Sequence, residues 1–241
     1  MTRKRVGLLA LFGLAFLVVA IEPAAAQSTD STTTEQLIWN LNNKLIYAAV
    51  PITVLVEGIL IYTVWKYRKS DEAKPTQENR RLEITWTIAT AVILLFVGVA
   101  SYQVMGNVFV TAEQPAAEGA VQGEEPLEVQ VYGQRYNWEF VYPEQNVSST
   151  DTLVLPNDRT VRLNITSRDW LHAFHVPGMG LKADAFPGQS NMIVTRTRET
   201  GSYQLYCAEY CGSGHSQMLG EVEVRSQAAF QEWLDEQQSG N

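Results

Sequence analysis

Hydrophobic residues are concentrated in two long apolar runs in the first half of the chain. The runs, at about residues 45–65 and 84–104, each contain 21 residues. A helix rises about 1.5 Å per residue, so either run would form a helix of about 31 Å, close to the thickness of the hydrocarbon core of a bilayer. The pattern therefore predicts a hairpin of two transmembrane helices within residues 27–110.

A shorter apolar run precedes this hairpin and has the features of an export signal. The basic residues Arg3 to Arg5 are followed by an apolar stretch from Val6 to Ile21 and by the small residues Ala24-Ala25-Ala26. This order is typical of a cleavable signal peptide, here residues 1–26. A third membrane helix is the alternative interpretation of the same run.

The loop between the two predicted membrane helices is basic. It contains six Lys and Arg residues between Lys66 and Arg81, whereas residues 27–44 contain only Lys44. Short basic loops stay on the cytoplasmic side of a membrane. We therefore expect a multi-pass protein of the cell (plasma) membrane with its C-terminal part outside the cytoplasm.

The second half of the chain consists of short alternating runs such as LEVQVYG and TVRLNITS, separated by turn residues. About seven such strands predict an antiparallel β-sandwich or barrel over residues 127–225. Residues 111–126 have the composition of a flexible linker. Residues 226–241 contain a short amphipathic helix, capped by Ser226, and a tail.

The net charge of the second half limits which classes of macromolecule can bind to it. From Ala112 onward there are 18 acidic and 8 basic residues, a net charge of −10. Nucleic acids bind to basic surfaces, so a nucleic-acid partner is excluded. The charge suits a basic protein partner or a high-salt habitat.

Both cysteines of the chain lie in one segment, CAEYCGSGHSQM, which runs from Cys207 to Met218. Its composition allows a disulfide in an exported domain, a reactive thiol pair or a metal site. A disulfide leaves His215 and Met218 unexplained. A thiol pair of the common redox type has two residues between its cysteines, whereas this segment has three.

A metal site is the interpretation that gives every one of these side chains a role. Two thiolates can bridge two copper ions, and soft sulfur ligands suit copper. The second imidazole must then come from further upstream, where His172 and His175 differ by three positions and so lie on opposite sides of an extended strand. Zinc is the alternative metal, although Met218 would then have no purpose.

At these residues the chain resembles subunit II of the haem-copper cytochrome c oxidases. The segments DWLHAFHVPGMGLKADAFPG and CAEYCGSGHSQM are similar to the two ligand segments of that family's dinuclear copper centre, CuA. The signal, hairpin and outer sandwich also follow in the same order. The resemblance implies a cupredoxin-like sandwich with two Cu ions, whose ligands would be His172, Cys207, the backbone carbonyl of Glu209, Cys211, His215 and Met218.

The resemblance also implies roles for residues outside the copper ligands. The Glu209 carboxylate corresponds to one that reaches Mg at the boundary with subunit I. Glu83, in the segment LEITWTIA, corresponds to a carboxylate at the mouth of a proton path, and an interfacial Glu favoured by a helix N-terminus is the alternative. Tyr136 and Trp138 lie in the family's electron-entry region, where Tyr136 replaces the usual Trp. Alternatively, both rings belong to the sandwich core.

Together these features predict the electron-accepting subunit of a respiratory terminal oxidase. A soluble cytochrome c or small blue-copper protein would reduce CuA outside the membrane. The electrons would then pass to haem in subunit I for oxygen reduction coupled to proton translocation, because three histidines are too few for this chain to bind the haems as well. Subunit I and other oxidase subunits are the expected partners. The alternative is a membrane-anchored copper-delivery protein for oxidase assembly.

Overall fold

The computed structural model describes residues 31–70, 72, 75, 77–111 and 125–239. The predicted signal peptide and most of the predicted linker lie outside these residues. The chain divides into two compact units. One is Leu37–Asn107, and the other, called here the sandwich unit, is Val108–Asn241 together with the residues up to Gln36.

Two long helices make up the first unit. Helix α1 spans Thr33–Tyr67 and helix α2 spans Arg80–Met105. Both are long and apolar enough to cross a membrane, and no residue in the most apolar window of either helix is buried. The two predicted apolar helices are thus confirmed. Helix α2 begins after Asn79, whose side chain accepts a hydrogen bond from the backbone N–H of Leu82.

Ten strands form the sandwich in the described part of the chain, and they lie in two five-stranded sheets. The order is β3-β2-β1-β5-β8 in the first sheet and β4-β10-β9-β6-β7 in the second. The strands are β1 Leu127–Gln134, β2 Asn137–Tyr142, β3 Val147–Thr150, β4 Thr152–Pro156, β5 Thr160–Ser167, β6 His172–Val176, β7 Leu181–Ala185, β8 Asn191–Arg196, β9 Gly201–Cys207 and β10 Leu219–Arg225.

Each sheet contains one parallel pair, so the expectation of a purely antiparallel sandwich was wrong. Strand β1 runs parallel to β5, with Leu127 opposite Val161, and β10 runs parallel to β4, with Glu221 opposite Thr152. The remaining neighbours are antiparallel. Alternating hydrophobicity shows which face of a strand is buried, but it does not specify the distant strand with which it pairs.

The hydrophobic core lies between the two sheets. Strand β1 alternates regularly between buried and half-buried residues, because successive side chains of a strand point to opposite faces. Trp138, Phe140 and Phe174 are fully buried in this core. Helix α3, Gln227–Ser239, adds the buried side chains of Phe230 and Trp233. Burying a large apolar side chain contributes about 1.5–3 kcal/mol.

The segment before helix α1 is also part of the sandwich unit. Ser31 Oγ donates a hydrogen bond to the carbonyl of Gly178 at 2.7 Å, and Thr32 Oγ1 donates to the carbonyl of Met179 at 2.7 Å. Both side chains are fully buried. These bonds attach the start of the described chain to the turn that follows β6.

Candidate metal centre

The loop between β9 and β10, residues 207–218, is called here the ligand loop. Strands β9 and β10 pair antiparallel, so the two ends of the loop meet: the backbone N–H of Cys207 donates to the carbonyl of Met218 at 3.1 Å. The N–H of Ala208 donates to the carbonyl of Ala173 in β6 at 2.9 Å. A short 3₁₀ turn, His215–Gln217, then brings His215 back toward the cysteines.

Five side chains converge at the base of this loop. The Sγ atoms of Cys207 and Cys211 are 3.9 Å apart. His172 Nδ1 lies 3.9 Å from Cys207 Sγ, and His215 Nδ1 lies 3.6 Å from Cys211 Sγ. Met218 Sδ is 3.8 Å from Cys211 Sγ. The structure therefore brings together all the side chains that were predicted to bind copper.

These distances fit a shared metal centre and exclude a disulfide. A disulfide needs an S–S distance of about 2.05 Å, and both cysteines are free thiols. Two donor atoms that bind one metal through bonds of about 2.3 Å lie no more than about 4.6 Å apart, a limit that the neighbouring donor pairs meet. The Glu209 carbonyl oxygen lies 3.1 Å from Cys207 Sγ, so it is also within reach of a metal.

Burial and neighbouring charges set the protonation of the two thiols. Burial raises the pKa of Cys207, but hydrogen bonds with His172 and with the backbone outweigh this effect and lower the pKa to about 6. Burial, together with the negative charge of Cys207, raises the pKa of Cys211 to about 11. Burial alone would lower the pKa of His172, yet its hydrogen bonds with Cys207 and Asp169 raise it. The metal-free pair thus has one thiolate and one thiol near pH 7.

Asp169 orients His172 but was not identified from the sequence. His172 Nε2–H donates to Asp169 Oδ1 at 2.8 Å, which leaves Nδ1 free to face the cysteines. The backbone N–H of Arg135 donates to the other carboxylate oxygen at 3.0 Å. An acidic residue three positions before the ligand histidine was the available signal. A carboxylate that binds the second nitrogen of a histidine ligand is common in metal sites.

The ring of His172 is also enclosed by the first sheet. The Trp138 ring meets it edge to face, with centroids 6.2 Å apart. A Cβ atom on Gly133 would lie only 3.1 Å from the His172 ring, so the absence of a side chain there makes room for the imidazole. Because Trp138 is fully buried, it cannot touch a soluble electron donor. Its position agrees with the core alternative.

Tyr136 lies directly against the ligand loop and is partly buried. A Cβ atom on Gly212 would lie 2.7 Å from the Tyr136 hydroxyl, and one on Gly214 would overlap with the Tyr136 ring. The two glycines therefore form a slot for this ring between Cys211 and His215. Tyr136 remains a candidate for electron entry.

The other sequence-based candidates lie apart from this cluster or are not tested by it. His175 follows His172 by three positions in β6, and its ring packs on Tyr206 with centroids 4.9 Å apart. Glu83 is exposed in the first turn of α2, a position that both of its proposed interpretations allow. The Glu209 side chain is half-buried, and its role with Mg stays a prediction.

Comparisons with known proteins agree with this geometry. The family model described as cytochrome c oxidase subunit II, transmembrane domain, matches residues 22–104, and the model for the periplasmic domain of the same subunit matches residues 144–224. The cytochrome c oxidase subunit 2 of Thermostichus vulcanus is 30% identical over 251 residues, covering 84% of this chain and 76% of the relative. The chain belongs to the cytochrome c oxidase subunit II family.

Two further similarities are found, one to a relative and one to a solved structure. The cytochrome c oxidase subunit 2 of Synechocystis sp. is 29% identical over 232 residues, covering 80% of this chain and 70% of the relative. The crystal structure of the periplasmic domain of subunit II of cytochrome oxidase from Bradyrhizobium japonicum is 24% identical, with a TM-score of 0.47, and covers 49% of this chain and 97% of that one.

Membership in this family confirms several expectations from the sequence. The family, the helical hairpin followed by a cupredoxin-like sandwich, and the assignment to an oxidase enzyme complex are as predicted. The chain is a membrane protein with a C-terminal domain that binds copper. The alternative, a copper-delivery protein, is not favoured. All the predicted copper ligands lie within the match to the periplasmic domain, residues 144–224.

Proposed function

We propose that this chain accepts electrons from a soluble donor at a dinuclear CuA centre and passes them to haem in oxidase subunit I. The observation that carries the proposal is the pair of free thiols, Cys207 and Cys211, whose sulfur atoms are 3.9 Å apart with one imidazole beside each. Two thiolates with two imidazoles, a thioether and a carbonyl suit two copper ions better than one zinc ion.

The residues of the chain hold the donor atoms in place for this chemistry. A bound copper pair supplies a centre that gains and loses one electron. The side chains of Cys207, Cys211, His172, His215 and Met218, with the carbonyl of Glu209, would hold the two ions. Cys207, Cys211 and His172 are buried, so water is kept away from them. These ligands therefore have little freedom to rearrange when the charge of the centre changes.

The remaining parts of the proposal concern the surroundings of the centre. The donor is a cytochrome c or a small blue-copper protein outside the plasma membrane, and the partners in the membrane are subunit I and the other oxidase subunits. The Glu209 carboxylate binds Mg at the boundary with subunit I. Its half-buried position in the ligand loop supports this role, because one carboxylate oxygen is sufficient to take part in a hydrated Mg site.

Copper loading of the intact oxidase tests the proposal. We expect two copper ions per chain and a seven-line mixed-valence signal in paramagnetic resonance. Cys211→Ser should abolish the mixed-valence signal, because it removes one of the two bridging sulfurs. His175→Gln is the matched control and should leave the signal unchanged, since His175 packs on Tyr206. A single copper ion per chain in the unmutated protein would contradict a dinuclear centre.

Glu83 offers a separate prediction about proton uptake. If its carboxylate lies at the mouth of a proton path, Glu83→Gln should slow proton uptake from the cytoplasmic side while reduction of the copper centre keeps its rate. Proton uptake by the purified oxidase in vesicles, followed with a pH indicator, measures this. Glu78→Gln, outside helix α2, is the control. Unchanged turnover in the Glu83 variant would remove the role.

A further inference from the structure

Trp170 is an exposed aromatic side chain next to the buried metal centre, and nothing described so far gives it a role. Its relative exposure is 54%, an unusual value for so large an apolar ring. It precedes the ligand His172 by two residues. Trp138, by contrast, has no exposed surface, and the Tyr136 ring is partly enclosed by the ligand loop.

Trp170 is linked by non-covalent contacts to two of the predicted ligands, to Cys211 through Arg135 and to His172 through Asp169. The guanidinium carbon of Arg135 lies 5.1 Å from the centroid of the Trp170 ring, which is a cation–π contact. Arg135 Nε donates a hydrogen bond to the carbonyl of Cys211 at 3.1 Å. On the other side, the backbone N–H of Trp170 donates to Asp169 Oδ1 at 2.7 Å, and the same oxygen accepts the hydrogen bond from His172.

Arg135 lies at the surface beside Trp170, with its Nε 4.0 Å from the Asp169 carboxylate and its terminal amino groups directed elsewhere. Its side chain is 43% exposed, and its Nε is used by the Cys211 carbonyl. Among the residues that the structure describes, neither terminal amino group of Arg135 has a hydrogen-bond partner. An arginine fork of this kind binds a carboxylate through two parallel hydrogen bonds. Trp and Arg are also the residue types most enriched where interfaces gain their binding energy.

We propose that Trp170, stacked on Arg135, is the contact through which a soluble electron-transfer protein delivers its electron, and that this protein presents a carboxylate to Arg135. The inference rests on the proposed function. One electron leaves the donor, whose haem iron changes from ferrous to ferric in a cytochrome, and the copper pair gains that electron. No bond is formed or broken and no proton moves. Trp170 is not oxidised; its ring brings the donor close to the ligands.

The test uses the intact oxidase and stopped-flow measurement of copper-centre reduction. The probes are two soluble cytochromes c, one with an acidic and one with a basic docking face, and the small reductant hexaammineruthenium(II). Arg135→Gln should slow the acidic cytochrome more than the basic one, because the carboxylate contact with Arg135 is local, whereas the net charge of −10 from Ala112 onward attracts a basic face. With the acidic cytochrome, Trp170→Ala should lower the saturating rate of copper-centre reduction about tenfold. Arg135→Gln should raise the half-saturating concentration of that cytochrome about tenfold at low salt. Trp170→Phe should keep most of the rate.

Two controls separate this inference from the proposed function. Reduction by hexaammineruthenium(II) and the paramagnetic resonance signal should be unchanged in Trp170→Ala, because the centre itself is intact. If the unmutated oxidase shows neither this reduction nor this signal, the proposed function is contradicted instead. Phe186→Ser removes another exposed aromatic side chain, 38% exposed and outside the ligand loop, and should leave the rate within about twofold. The inference is overturned if Trp170→Ala reacts at the unmutated rate, or if Arg135→Gln affects the acidic and the basic cytochrome equally.

Discussion

At the scale of single residues, the hydrogen bond between His172 and Asp169 determines which imidazole nitrogen is available to a metal. With Nε2–H donated to the carboxylate at 2.8 Å, Nδ1 is the nitrogen that faces the cysteines and can bind a metal once it has lost its proton. The ring is fully buried, so water cannot replace the carboxylate if it is removed. The orientation of this ligand therefore depends on a residue that does not touch the metal.

Asp169→Asn should weaken copper binding, because the amide is uncharged and has only one acceptor oxygen, whereas both carboxylate oxygens of Asp169 accept hydrogen bonds. Loss of such a partner reduces metal affinity by about 10- to 100-fold. Competition for copper with a chelator of known affinity measures the effect. Asp235→Asn, on the exposed side of α3, removes the same charge and should leave the affinity unchanged. Equal affinities of the two variants would show that the Asp169 carboxylate does not support His172.

The raised pKa of Cys211 predicts how copper binding depends on pH. Because that pKa is about 11, the thiol keeps its proton from pH 7 to pH 9, and copper must displace it. The apparent affinity should therefore rise at least tenfold per pH unit in this range. Below about pH 6 Cys207 is protonated as well, so the dependence should become steeper. Chelator competition at several pH values measures the slope, and an affinity independent of pH would contradict the shift.

Some of these residue roles could be predicted from the sequence and others could not. Cys207, Cys211, His215 and Met218 lie within one short segment, so their spacing alone indicated a common site. The Arg135 contact with Cys211 joins residues 76 positions apart, and no local pattern contains it. The choice of His172 depended on the family resemblance, and the structure then placed its Nδ1 beside Cys207.

At the scale of structural elements, the conformation of the ligand loop depends on the Tyr136 ring against which it packs as well as on its own sequence. Gly212 has a φ of +134°, a conformation that residues with side chains rarely adopt. Both Gly212 and Gly214 are in contact with the Tyr136 ring, which comes from the turn between β1 and β2. The loop can therefore lie close to the sandwich only because two of its residues lack side chains.

Gly214→Ala should displace the ligand loop, because the added methyl group would overlap with the ring of Tyr136. Overpacking of this kind costs about 1–3 kcal/mol. We expect a lower temperature of thermal unfolding and a changed copper absorption spectrum. The double variant Gly214→Ala with Tyr136→Ala removes the overlapping ring and should recover much of the lost stability. No recovery in the double variant would show that the cost arises elsewhere.

The strands illustrate the limit of sequence patterns at this scale. β1 and β5 each alternate between apolar and polar residues, and both were expected as strands. Their parallel pairing was not expected, because it depends on the chain crossing between sheets over β2, β3 and β4. The order of the second sheet is equally non-local, and it matters for function because it places β6 next to β9 and so His172 next to Cys207.

At the scale of the whole molecule, the two units are suited to different solvents. The helical unit exposes apolar side chains along both helices, whereas the sandwich unit buries its apolar residues in one core. The residues from Ala112 onward also have a net charge of −10, and the loop between the helices is basic. The basic loop predicts that the C-terminal domain lies outside the cytoplasm, because short basic loops are retained on the cytoplasmic side.

Reporter fusions test the orientation directly. Alkaline phosphatase requires disulfides that form outside the cytoplasm, whereas green fluorescent protein fused to an exported segment does not become fluorescent. We expect phosphatase activity from a fusion after Ser239 and fluorescence from a fusion at Ser70 in the loop. Replacing the six basic loop residues by Gln should yield a mixture of both orientations, since the charge difference across the hairpin would be lost. Fluorescence from the fusion after Ser239 would place the metal centre in the cytoplasm and contradict electron entry from outside.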